Sequence, residues 1–231
     1  MPVLPRPTID LTHITPSKKT QAEKKLESLK KELSAKNARW QARQTPHSYL
    51  TIAQKKALLG VVPDKPFLQQ VRVASAAPQA IWPSFDAELD WRTKNGGKVT
   101  PVKDQGACGS CVSFGTIGMI ESMAMIEKNV LLDLSEADLH FCSSHGANCG
   151  GWYPSLALLS MRSRGVCDEV RFPYASAFAN GEPHCILAPD RDQHVYRIQS
   201  STWLIIDAFR KDYLTHHGPM TACMTVYDDF F

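Results

Sequence analysis

Gln105-Gly106-Ala107-Cys108-Gly109-Ser110-Cys111 places a cysteine at the head of a long apolar run, Val112 to Ile126. The run predicts a buried helix that opens on Cys111. A thiol at a helix N-terminus faces unpaired backbone N–H groups and the positive end of the dipole. Both favour the thiolate, the form that attacks carbonyl carbon. Gln105 offers a side-chain amide donor six residues upstream, and Gly106 and Gly109 permit a tight loop between the two. Taken alone, Cys108 and Cys111 also read as a metal or redox pair, or as two buried cysteines. A zinc site needs a second pair at finger spacing, and the sequence has none, so no metal is expected.

The flanking residues narrow the choice. Leu89-Asp90-Trp91-Arg92 and Val99-Thr100-Pro101-Val102-Lys103-Asp104-Gln105 precede the loop. Leu134-Ser135-Glu136-Ala137-Asp138-Leu139 through Cys142, then Cys149-Gly150-Gly151-Trp152-Tyr153-Pro154, then Phe172-Pro173-Tyr174 follow it. Together these segments resemble the papain family of cysteine peptidases over roughly Phe85 to Phe231. The resemblance implies an α+β fold, with a helical left subdomain and an incomplete strand-rich right subdomain. It implies Cys111 as nucleophile, and Gln105 with the Cys111 backbone N–H as oxyanion donors. Gly150 and Gly151 would let a peptide or protein substrate approach an open groove; each glycine also reads as a plain turn beside a disulfide. The implied disulfides are Cys108 with Cys149 and Cys142 with Cys185. Cys111, Cys167 and Cys223 remain; Cys223 is expected to be a buried free thiol, and Cys167 is open between a free thiol and a competing bridge.

Three departures from the family pattern matter. Val112 stands where the family usually carries Trp. Trp152 stands where it often carries a further glycine. The family's catalytic His and its orienting Asn have no counterpart before Phe231. His216 and His217 precede Gly218-Pro219 and read as turn or surface residues; His13, His47, His140, His145, His184 and His194 have no motif support. The expectation is a thiol endopeptidase made as a zymogen, with a C-terminal fragment or partner chain completing the domain. The alternative is a catalytically inactive papain-like scaffold that binds or inhibits.

With 231 residues the chain suits one medium domain plus an extra segment, or two small domains. A net charge of +3 is too small to argue for nucleic acid, and no cofactor motif is evident. No stretch reaches the roughly 18 consecutive apolar residues of a membrane span. Residues 1–20 show no apolar signal-peptide core, although the cysteine spacing favours an oxidising, secreted or lysosome-like compartment.

Periodicity divides the chain into 1–84, a helical propeptide-like segment and linker, and 85–231, the peptidase domain. Lys18 to Arg43 predicts one amphipathic helix with Leu26, Leu29, Leu33 and Trp40 on its stripe, started by Pro16 and Ser17. A solvated helix with an ordinary packing face and a propeptide helix laid across a protease fit this pattern equally. Pro46 breaks it, and Ser48 to Leu59 predicts a second helix stopped by Gly60. A proline-rich crossing follows, with a short strand over Phe67 to Val73. Further helices are expected over Cys111–Lys128, Ser135–Phe141, Pro154–Arg164 and Ala208–Thr215. Strands are expected over Tyr196–Ile206 and Pro219–Val226.

Overall fold

Pro16 opens the first helix for a local reason: its missing N–H costs nothing in the first turn, and Thr15 caps that turn by accepting the Lys18 N–H at 3.3 Å. The structure is a computed structural model that describes residues 14–63, 85, 88–143, 146–179, 181–204 and 206–227. Helix α1 runs Pro16–Ala35, stopping short of the expected Arg43. Asn37 takes φ +50°, and the Ala38 and Asn37 N–H groups bond to Leu33 O (2.9 Å) and Ser34 O (3.1 Å). This paired closure satisfies the last carbonyls and turns the chain away. Trp40 therefore lies outside the helix, and it is exposed.

The expected helix over Ser48–Leu59 is broken in two. A 3₁₀ turn, Pro46–Tyr49, precedes α2, Ile52–Ala57. Leu50 is extended, and Thr51 starts afresh: its hydroxyl accepts the Gln54 N–H (3.2 Å) while Gln54 Oε1 accepts the Thr51 N–H (2.9 Å). The expected strand at Phe67–Val73 lies outside the described residues.

Helix α3, Cys111–Glu127, is apolar nearly all round and forms the centre of the molecule. Helices α4 (Glu136–Phe141) and α5 (Pro154–Ser163) pack against it. Ser135 caps α4 as expected, accepting the Asp138 N–H at 2.9 Å, and Gly165 follows α5 at φ +72°. The core joins Val112, Ile117, Leu134, Leu139, Trp152 and Met161. A second cluster, built on Phe172, Tyr174, Ala137 and Cys167, lies beside α4. Val112 is a core residue, 3% exposed. Asp138 ties the parts together: it accepts from Arg164, from Arg191 Nε and from the Cys167 N–H (2.9 Å). Burial opposes its ionisation, but these bonds to the two guanidiniums hold it below the usual carboxylate range.

Strand content is small. β1 (Val166–Cys167) pairs antiparallel with β2 (Val195–Tyr196). The expected strand Tyr196–Ile206 shrinks to its first residue, and Pro219–Val226 is not a strand. An alternating segment becomes a strand only where a neighbour takes its backbone hydrogen bonds, and among the described residues neither segment has one. Helix α6, Asp207–His216, completes the described elements. No helix among the described residues is long and apolar enough to cross a membrane.

Candidate active site

The loop before α3 is fixed by long-range bonds. Cys108 is joined to Cys149, which draws the glycine-rich segment under the loop, and the Gly109 N–H donates to Cys149 O at 3.0 Å. A second disulfide joins Cys142, at the end of α4, to Cys185. Tyr174 reaches across from its 3₁₀ turn, Tyr174–Phe178, and its hydroxyl donates to Gln105 O at 2.9 Å. The same oxygen meets Ser110 Oγ at 2.7 Å. One phenol thus holds both ends of the loop. Burial pushes its ionisation above the ordinary tyrosine range, so it stays a donor.

Lys103 fixes the strand-like approach to Gln105. Its ammonium contacts Glu121 (3.0 Å), Asp133 (2.7 Å) and Glu136 (2.9 Å). Burial works against its charge, but the three carboxylates overcome that and raise its pKa. Burial pushes Glu136 up to about 7 despite the ammonium beside it. His140 sits under α3, with Nδ1 2.9 Å from Ser113 Oγ and Nε2 3.0 Å from Asn148 O. Burial drops its pKa to about 4, so it is neutral and serves as a brace between α3 and the glycine-rich segment. Sequence reasoning gave the Cys108–Cys149 bridge but none of these side-chain contacts; Tyr174, Lys103 and Glu136 carried a signal only as members of the family-like segments.

Cys111 is half-buried at the first position of α3, and its Sγ accepts the Gly60 N–H at 3.3 Å. Gln105 Nε2 donates to Leu58 O at 3.0 Å and to Cys108 O at 2.6 Å. The N-terminal segment therefore lies over both residues. It continues along the glycine-rich segment, where the Trp152 N–H donates to Gly60 O (2.7 Å) and the Val62 N–H to Trp152 O (2.9 Å). Val61 and Trp152 run parallel there. Gly150 is exposed and bonds to Asn148 Oδ1 at 2.8 Å. Gly151 has φ +120°, and a Cβ there would stand 2.6 Å from Gly60 O. Gly60 itself is no helix stop, since α2 ends at Ala57 and Leu58 caps it. Its lack of a side chain serves close approach: a Cβ would stand 1.7 Å from Gly109 O. The Trp152 ring is fully buried and meets His140 edge to face, so it does not stand in the groove.

Beside Cys111 lies a cavity of about 1100 Å³, with Leu26, Leu29, Trp40, Cys223 and Met224 among its walls. Cys223 is an exposed free thiol there, not the buried one expected. Cys167 is free and buried; burial, then the carboxylate of Asp138, push it up to about 12, which leaves it inert. His216 ends α6 with Nδ1 3.1 Å from Asp212 Oδ1, and His217 caps that helix; both are exposed. Among the described residues no histidine hydrogen-bonds to Cys111. No cluster of His, Cys, Asp or Glu suited to a metal ion occurs among them.

The chain is similar to known proteins over much of its length. The family described as "Papain family cysteine protease" matches residues 85–231. Falcipain-2b of Plasmodium falciparum is 38% identical over 149 residues, covering 64% of this chain and 29% of that protein. Cathepsin K of Gallus gallus is 44% identical over 89 residues, covering 38% of this chain and 26% of the relative. The chain thus spans less than a third of the length of these two relatives. Two solved proforms share the fold. The ragweed pollen allergen cysteine protease Amb a 11 has a TM-score of 0.64 at 20% identity, over 90% of this chain and 64% of that one. Procathepsin L2 of Tenebrio molitor larval midgut has 0.63 at 22%, over 90% and 68%. With a family match over more than half its residues, this chain belongs to the papain family of cysteine proteases.

Proposed function

We propose that the protein hydrolyses peptide bonds through Cys111 and is held in a zymogen state by its own N-terminal segment. In this reading the Cys111 thiolate attacks the peptide carbonyl carbon. The Cys111 N–H and Gln105 Nε2 take the negative oxygen of the tetrahedral intermediate. The C–N bond breaks, a histidine protonates the leaving amine, and water then cleaves the thioester. That histidine lies outside the described residues or on a partner chain. Gly150 and Gly151 receive the substrate backbone, and residues 1–84 form the propeptide.

The single observation that carries this reading is the pair of bonds at the loop: Gly60 N–H on Cys111 Sγ and Leu58 O on Gln105 Nε2. The N-terminal segment occupies the thiol and the amide donor together, which a scissile carbonyl would otherwise use. Val61 also pairs parallel with Trp152, next to the groove glycines.

Labelling with an epoxysuccinyl-type probe, followed by peptide mapping, tests the proposal. The chain freed of its N-terminal segment is expected to be modified at Cys111, and Cys111→Ala to lose the modification entirely while keeping its fold. A freed, folded chain that binds peptides without labelling or cleavage, both alone and with a C-terminal fragment that supplies the histidine, would instead establish the inactive scaffold.

A further inference from the structure

The segment after α6 runs back along α3 toward the nucleophile. Gly218 lies against Met123 and Ile126, near the helix C-terminus. Three residues later, Thr221 Oγ1 donates to Gly115 O at 2.9 Å and meets Met119 Sδ at 3.5 Å. The direction is therefore antiparallel to α3. Gly115 is four residues from Cys111, about 6 Å along the helix axis. Cys223 is two residues past Thr221, a span of about 7 Å in extended chain. The geometry carries Cys223 to the level of Cys111, and both line the same cavity. The Cys223 thiol is raised first by burial around its sulfur and then by the charge of Cys111. The remaining free thiol, Cys167, is buried in the other core cluster.

We propose that Cys111 and Cys223 are a reversible oxidation site, in which a peroxide converts the pair to a disulfide that caps the nucleophile. The Cys111 thiolate attacks one peroxide oxygen; the O–O bond breaks and the second oxygen leaves, taking up a proton as water. The Cys223 sulfur then attacks the Cys111 sulfenic sulfur. The S–O bond breaks, a second water leaves with the Cys223 proton, and the S–S bond forms. A dithiol reductant reverses the bond. Without Cys223 the sulfenic acid is left to further peroxide and passes to the irreversible sulfinic acid. The proposal rests on the reading of Cys111 as the reactive thiol.

The test treats the reduced full chain with hydrogen peroxide, then maps peptides, and in parallel measures iodoacetamide labelling of Cys111 before oxidation and after added dithiothreitol. Wild type is expected to yield a peptide joining Cys111 to Cys223 and to recover its labelling in dithiothreitol. Cys223→Ala is expected to lose that recovery and to carry sulfinic acid at Cys111. Labelling of Cys111 with no joined peptide, or equal recovery in Cys223→Ala, overturns the pair and leaves the nucleophile reading standing. A Cys111 inert to both reagents in the full chain, and still inert after the N-terminal segment is removed, overturns the two together.

Discussion

Helices α1 and α3 are of similar length and are held in opposite ways. The 20 residues of α1 bury one side chain, Ala22, whereas the 17 residues of α3 bury seven, among them Ser113, Glu121 and Ser122. Most helical stability in proteins comes from packing an apolar face, and α1 offers only a thin stripe, so it leans on its own caps. Helix α3 is fixed by the core, and the loop that feeds it is fixed by a disulfide, a phenol and a buried ammonium. The two regions meet mainly through backbone at Leu58–Val62. A cover attached by backbone bonds at glycines can be removed without disturbing the reactive loop. That is the physical content of the zymogen state proposed here.

The contrast predicts which substitutions harm chemistry and which harm the fold. The largest effect is expected at Gln105. Replacing it with Ala removes the side-chain donor but no core contact, and is expected to slow peptide hydrolysis by about 10²–10³-fold. Melting temperature is expected to stay near wild type. A proportional loss of stability would show that Gln105 serves the fold instead.

Tyr174→Phe is expected to act next, and in the other direction. It leaves Ser110 Oγ and Gln105 O without their buried partner, at a cost of about 1–3 kcal/mol in denaturant unfolding. An unchanged midpoint would mean that the loop is held by Cys108–Cys149 alone.

Much of this was legible in sequence, and the reason is locality. The helix starts at Pro16 and Ser135, the apolar run after Cys111 and the four bridging cysteines are all carried by neighbouring residues or by family spacing. The end of α1 was not legible, because Asn37 closes the helix in a backbone conformation that the apolar periodicity through Trp40 masks. The segment over Pro219–Val226 alternates like a strand, yet alternation does not supply the partner. The supports of the site come from far along the chain: Tyr174 is 69 residues from Gln105, and Gly60 is 51 from Cys111. Gly60 read as a helix stop because composition cannot reveal a second backbone pressed against it.

The smallest effect concerns pH and the core side of the comparison. Glu169 accepts the Tyr174 N–H at 2.8 Å through Oε1, and its Oε2 has no partner among the described residues. Burial first, then nearby Glu136 and Asp133, push its pKa from 4.5 up to about 8, against the pull of Lys103. The folded chain therefore holds a proton that the unfolded chain releases, and stability falls as pH rises from about 4.5 to 8. Glu169→Gln keeps the acceptor and has no proton to lose. It is expected to match wild type at pH 4 and to exceed it above pH 8 by on the order of 1–3 kcal/mol. A variant weaker than wild type at pH 8 would show that Glu169 is held as a carboxylate.

The N-terminal segment lies on Cys111 through the Gly60–Gly109 contact. The most direct measurement is the rate of Cys111 alkylation by iodoacetamide in wild type and in Gly60→Ala, each mapped by peptide. A Cβ at Gly60 collides with Gly109 O, and overpacking of this kind costs about 1–3 kcal/mol, so the segment should lift while the core stays folded. Cys111 labelling is expected to be faster by roughly ten- to hundredfold in the variant, with melting of the core unchanged. Equal rates in the two proteins would contradict it.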